Sequence, residues 1–374
     1  MNHSSLKNRL YNSSKIDWEN LLFSKKTLWA LLIPIMVEQL LNALMGMVDT
    51  MMVSNVGSAA VSAVSLVDSI NMLVIQVFAA LSTGAAIICS QYLGQKNDKM
   101  CNQAARQIFL TVIVISGTLM LVCLIFCKPL LRLVFGAVEE DVMNGAVSYF
   151  LITAIAYPFL ALFDVGAAFY RAGGNSRFPM LISVISNTMN IAGNAILIFG
   201  CGMGVAGAAL STLFSRIFAA GIVLFYLRKP RQVIVLRDYF KIRPDMPMIS
   251  KILAIGIPAG VENGMFQFGK LAIQSTVSTL GTQAIAAQAL TIVLENLNGI
   301  ASMGVGIGLM TVAGQTFGAG RTEEGKYYIV KLTWYGEIGL ILSCLLTFAA
   351  GRPIMYLAGM EPESMRMCYE MLVA

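Results

Sequence analysis

Apolar residues run along this chain in blocks of about 20 or more, separated by short polar stretches. The blocks occupy residues 28–54, 62–91, 107–127, 143–166, 178–200, 205–227, 252–279, 286–315 and 327–350, and another begins near residue 366. A helix needs about 20 mostly apolar residues to cross about 30 Å of hydrocarbon. The pattern therefore predicts a bundle of membrane-spanning helices. The longest polar interval between spans, residues 228–251, is too short to hold a soluble domain.

Composition agrees. Hydrophobic residues make up 57% of the chain and charged residues 12%, against roughly 25% charged in soluble domains. The mean hydropathy is +0.73. Residues 1–27 carry Asp17 and Glu19 and lack a small-residue cleavage pattern, so the first span is expected to stay in the membrane rather than leave as a signal peptide. The seven cysteines form no CxxC pair and read as small apolar fillers. The single histidine, His3, lies in the tail, which excludes imidazole chemistry.

Charge gives orientation. Twenty of the 26 lysines and arginines fall on the N-terminal tail and on alternate loops, among them Lys96, Lys99, Arg106, Arg171, Arg177, the run from Arg228 to Lys251, and Arg321 to Lys331. The other loops hold Lys128, Arg132, Arg352 and Arg366. The positive-inside rule then puts the tail and the first set of loops in the cytoplasm. The net charge of +6 is a topology signal, and no nucleic-acid partner is expected.

Shifted by 224 residues, the sequence resembles itself without a gap. Ile33-Pro34 falls on Ile257-Pro258, Val37-Glu38 on Val261-Glu262, and Gly57 on Gly281. Gly84, Gln91 and Gly94 fall on Gly308, Gln315 and Gly318, and Pro129 on Pro353. The offset spans six helices, so both halves enter the membrane in the same sense, a parallel repeat of the kind transporters use. The expected fold is an all-α integral membrane protein of two six-helix lobes related by a pseudo-two-fold along the membrane normal. Residues 1–27 form a cytoplasmic tail, 28–228 the N-lobe, 229–251 a cytoplasmic linker, and 252–374 an incomplete C-lobe of about three and a half helices. By the repeat, about 75 further residues are expected beyond Ala374.

Several motifs follow this order: Pro34 with Val48-Asp49-Thr50 on the first span, Ser90-Gln91-Tyr92-Leu93-Gly94 at the end of the second, and YRAGGNSRFPM at 170–180 after the fourth. The fifth span reads NTMNIAGNAILIFG and the sixth opens GVAGAALSTL. With the repeat, they resemble the multidrug and toxic compound extrusion family of cation-coupled efflux pumps over nearly the whole chain after the tail. The resemblance implies a cation-coupling pocket in the N-lobe from Asp49, Asn190, Asn194 and Thr212, able to hold Na+. Some members carry a second carboxylate where this chain has Asn194.

The residues point the same way. A charge at the centre of a bilayer costs about 2.5–3.5 kcal/mol, so Asp49 must face a polar or wet interior. It shares a helical stripe with Glu38 and Asn42, and Asn187, Asn190 and Asn194 share one on the fifth span. Burial favours the protonated form of a carboxylate, and surrounding amide and hydroxyl oxygens would suit sodium. An Asp–Asn network that only ties helices together is the other possibility. In the second half, Lys270 and Gln274 follow Glu262 on the seventh span, with Glu295 on the eighth. Lys270 is either a snorkelling or paired lysine, or a cavity charge balanced by Glu262 or Glu295. Asp164, with Asp68 and Asn71, is expected to face the interior, and Arg216 to snorkel.

The expected function is cation-coupled multidrug antiport, exporting apolar or cationic small molecules against Na+ or H+. The alternative is a flippase for lipid-linked oligosaccharides or lipids on the same architecture. No phosphate loop, nucleophile triad or metal cluster is visible, so neither enzymatic chemistry nor a cofactor beyond the coupling ion is expected. A monomer in contact with membrane lipid, multi-pass in the plasma membrane, completes the expectation.

Overall fold

A computed structural model describes residues 10–136, 140–230, 232–237, 243–278, 282–357 and 362–373. Among them are eleven α-helices and no strand. They are α1 (Lys25–Ser54), α2 (Ser58–Gly94), α3 (Asp98–Ile125), α4 (Cys127–Phe135), α5 (Glu140–Ala172), α6 (Arg177–Asn194), α7 (Gly204–Leu227), α8 (Met246–Ser278), α9 (Thr282–Gly318), α10 (Thr322–Leu357) and α11 (Pro362–Val373). Eight helices among the described residues are long and apolar enough to cross a membrane.

The helices overrun the apolar blocks because their polar ends are capped. Ser24 accepts from Thr27 N to start α1, and Asn97 accepts from Met100 N to start α3. Each satisfies an orphan donor of a first turn. α8, which lies on the expected span 252–279, is not among those eight, and a second departure follows α3. The chain breaks at Phe126 (φ −101°, ψ 21°) and restarts as the short α4 around Pro129. Its repeat partner Pro353 lies inside the unbroken α10.

The two halves meet through repeat-related contacts. A Cβ on Gly94 would collide with the carbonyl of Gln315, and one on Gly318 with the carbonyl of Gln91. Gly84 approaches Ile252 on α8, while Gly304 and Gly308 on α9 approach Met36 and Leu32 on α1. Small residues let membrane helices pack at such distances. Gln315 Nε2 also donates to Ala172 O across the halves at 2.6 Å. These close approaches cluster at the end of the bundle that carries the segment before α1 and the segment between α7 and α8.

α1 is shared. Its first half, with Leu28, Leu31, Leu32 and Ile35, packs into a core with Val305, Val312, Tyr328 and Leu332 of the second half. Farther along it, Glu38 and Asp49 bond instead to α5 and α6. Pro34 sits just before the crossover.

Candidate functional site

α6 and α7 form the floor of the site. A Cβ on Gly193 would collide with the Ser211 side chain, and one on Gly207 would come within 3.0 Å of the Leu197 backbone. Ser211 Oγ donates to Asn190 O at 2.7 Å, and Ser186 Oγ donates to Ser215 O at 3.0 Å. Directly after Asn194, residues Ala195–Gly200 widen into a π-helical turn. Such turns are rare in helices and frequent at functional sites.

On this floor the structure brings together Asp49, Asn190, Asn194 and Thr212. Asn194 Nδ2 donates to Asp49 Oδ1 at 2.6 Å and to Asn190 Oδ1 at 3.1 Å, and Asn190 Nδ2 donates to Thr212 Oγ1 at 3.0 Å. Turned over, the Asn190 amide donates to Asp49 Oδ1 at 2.9 Å and accepts from the Thr212 hydroxyl at 3.0 Å. Both amide residues are buried, and Asn194 Oδ1 has no hydrogen-bond partner. Asn187 Nδ2, one turn away, is likewise buried without a partner. A carboxylate, an unpartnered amide oxygen, a second amide and a hydroxyl supply the hard oxygen donors that a small cation takes.

A second polar group lies nearby. Asn71 Nδ2 donates to Asp68 Oδ1 at 3.2 Å, the Tyr157 hydroxyl donates to Asn71 Oδ1 at 2.7 Å, and the Tyr149 hydroxyl stands beside Asp68. Arg216 corrects an expectation. It is half-buried midway along α7, and its charge acts on Asp49, Asp68 and Asp164 together. It lies in the middle of Gly204–Leu227 rather than near a helix end, where a snorkelling arginine would sit.

Glu38 and Asn42 do not join this site. Eleven residues of helix put Glu38 about 16 Å from Asp49 along α1. Glu38 is 2% exposed and pairs with Arg171, whose Nη2 donates to both carboxylate oxygens at 2.9 and 3.0 Å. Ser183 Oγ adds a longer bond at 3.4 Å. The stripe expected from helical spacing is therefore divided, with Glu38 taken up by Arg171. Arg171, counted above as a loop residue, is buried in the last turn of α5. Asp164 is half-buried, and the largest charge acting on it is that of Arg171. Asn42 is exposed on α1.

In the second half, Lys270 Nζ meets Glu295 Oε1 at 2.9 Å and lies 5.1 Å from the Phe266 ring centroid. Glu262 is exposed and is not the partner of Lys270. Gln274 lies in α8, but its side chain is outside the described residues. No group of three or more His, Cys, Asp or Glu able to hold a metal occurs among the described residues.

The MatE family model matches residues 34–196 and 258–373. The chain is 27% identical over 333 residues to the probable multidrug resistance protein NorM of Thermotoga maritima, covering 85% of this chain and 70% of that one. It is 25% identical over 363 residues to the probable multidrug resistance protein YoeA of Bacillus subtilis, covering 94% and 78%. A multidrug resistance MATE family transporter of the MOP superfamily, solved in an outward-facing conformation, superposes with a TM-score of 0.87 at 19% identity, over 93% of this chain and 77% of that one. The family match spans both halves of the repeat, and the chain belongs to the MatE family, the multidrug and toxic compound extrusion transporters.

Proposed function

We propose that this protein exports apolar or cationic small molecules by alternating access, driven by Na+ or protons entering through Asp49, Asn190, Asn194 and Thr212. The observation that carries the proposal is the Asp49–Asn194 contact in a floor where Asn194 Oδ1 is left without a partner. Buried polar atoms are seldom left unpaired. An open acceptor beside a carboxylate is what a transiently bound cation needs. The Asn190 amide supports the same reading. Its nitrogen donates to Asp49 Oδ1 at 2.9 Å while its oxygen accepts from the Thr212 hydroxyl at 3.0 Å, which joins the carboxylate to the hydroxyl in one oxygen-rich pocket.

The driving force is adequate. Each elementary charge moved across 100 mV supplies about 2.3 kcal/mol. That energy reaches the exported molecule only if occupancy of the site biases the two lobe arrangements differently. The two repeat halves, in contact at one end and carrying the site toward the other, provide those arrangements. We take the contacting end to be cytoplasmic, from the positive-inside bias, and the state described to be outward-facing. Lys270, Glu295, Phe266 and the exposed Glu262 line the second half as candidate contacts for the exported molecule.

Purified protein in vesicles loaded with a fluorescent lipophilic cation tests this. An imposed inward Na+ or proton gradient should drive concentrative export, and collapsing the gradient should stop it. Export indifferent to both gradients would reject the coupling.

A further inference from the structure

The segment before α1 leads covalently into the first half but is held by the second. Arg321 Nη1 donates to Asn20 O at 2.6 Å. Glu323 and Glu324 accept from Asn12 N and Leu22 N, each at 2.6 Å. The Tyr328 hydroxyl serves both backbone groups of Phe23, accepting from N at 3.0 Å and donating to O at 2.8 Å. All four side chains come from α10 or the residue before it. Tyr11 and Trp18 pack edge-on against Tyr327, and Tyr11, Ile16 and Phe23 are buried. Glu324 is 4% exposed, with Arg321 3.1 Å away.

The segment between the halves does the reciprocal thing. It leads into α8, and side chains at the start of α3 hold it. Asn102 Oδ1 accepts from Val235 N at 2.8 Å. Gln107 accepts from Asp245 N at 3.0 Å and donates to Arg243 O at 2.8 Å. Gln103 Nε2 donates to Asp245 Oδ2 at 2.9 Å. The 224-residue offset maps the start of α3 onto the start of α10, and the residues before α1 onto those before α8. The two segments are therefore repeat-related straps, each running into the first helix of one half and gripped by the third helix of the other.

They differ in one mechanical respect. The strap between the halves is anchored on both sides, by α7 and α8. Among the described residues, the leader is tied to the first half through α1 and to the second through α10 and the residue before it. Separating the halves at this end means either carrying the start of α1 along with α10 or stripping the leader from it. We propose that residues 10–24 act as a clasp, closing this end of the transporter through Arg321, Glu323, Glu324 and Tyr328, and that releasing the clasp permits opening there. The proposal rests on the alternating-access reading above.

Spin labels at Lys99 and Thr322, exposed at the starts of α3 and α10, report the separation of the halves without requiring transport. Two variants test the clasp in an otherwise cysteine-free full chain. Deleting residues 1–22 keeps Phe23 and the Ser24 cap. Tyr328→Phe keeps the ring and removes only the hydroxyl. The clasp predicts a longer-distance population that grows in both, by about thirtyfold in open-to-closed ratio for Tyr328→Phe, the worth of the two hydrogen bonds its hydroxyl makes. Distance distributions like those of the parent in both variants would overturn it. Because the distances need no gradient, loss of coupled export in the parent protein would reject the transport reading and leave the clasp standing.

Discussion

At the scale of single residues, the buried charges separate into two kinds. Glu38 and Arg171 pair at 2.9 and 3.0 Å through Arg171 Nη2, and their pairing ties α1 to α5. Removing one partner of a buried pair leaves the other uncompensated, at a cost of about 3–5 kcal/mol, whereas replacing both can be nearly neutral. Glu38→Ala and Arg171→Ala should each lower the melting temperature strongly in detergent, and the double change should recover much of the loss. Additive destabilisation would show that the pair does not act as a unit. Asp49 is the other kind, held by amides and by no direct ion pair among the described residues. Asn194→Asp adds a second charged oxygen ligand beside it, and sodium affinity measured by calorimetry at pH 8 should tighten by roughly tenfold. Unchanged or weaker binding would argue against a cation seated between residues 49 and 194.

At the scale of elements, the closing contacts rest on glycine. Gly94 and Gly318 permit α2 and α9 to cross backbone to backbone, each against the glutamine of the other half. Gly94→Ala puts a methyl into the Gln315 carbonyl, so the closed end should be destabilised and export should fall severely. Gly117→Ala, with nothing within 4 Å of its Cβ, should leave export intact and gain up to about 1 kcal/mol of helix propensity. Equal export by the two variants, measured in vesicles, would remove the crossing from the account. Much at this scale was legible in the sequence. Apolar block length marks helices because the bilayer sets it, and a gapless repeat marks which contacts recur. The break at Phe126 was not legible, because the same Pro that opens α4 lies inside α10 in the other half. The π turn after Asn194 left no signal either, since AILIFG is as apolar as its neighbours.

At the scale of the whole molecule, the site was legible as a set of residue types and less so in its depth. Periodicity reports which face a side chain occupies, so Glu38 and Asp49 looked like companions. It is silent on the roughly 16 Å of helix between them. Arg171 looked like a loop charge because it precedes a Gly-Gly turn, and its partner lay 133 positions away in sequence. Removing Arg171 from the loop count leaves the basic bias intact. Single cysteines at Lys99, Lys229 or Lys326 should therefore resist impermeant thiol reagents in intact cells, and ready labelling would invert the topology. The central claim is that Asp49 couples cation entry to export, and Asp49→Asn tests it most directly. Asn keeps the shape and the hydrogen bonds to Asn190 and Asn194, but it neither takes up a proton nor offers a cation a charge. Purified Asp49→Asn protein in proteoliposomes should fold, bind the lipophilic cation, and fail to concentrate it under an imposed Na+ or proton gradient. Concentrative export equal to that of the unmodified protein would contradict the account and leave Asp49 as a tie between α1 and α6.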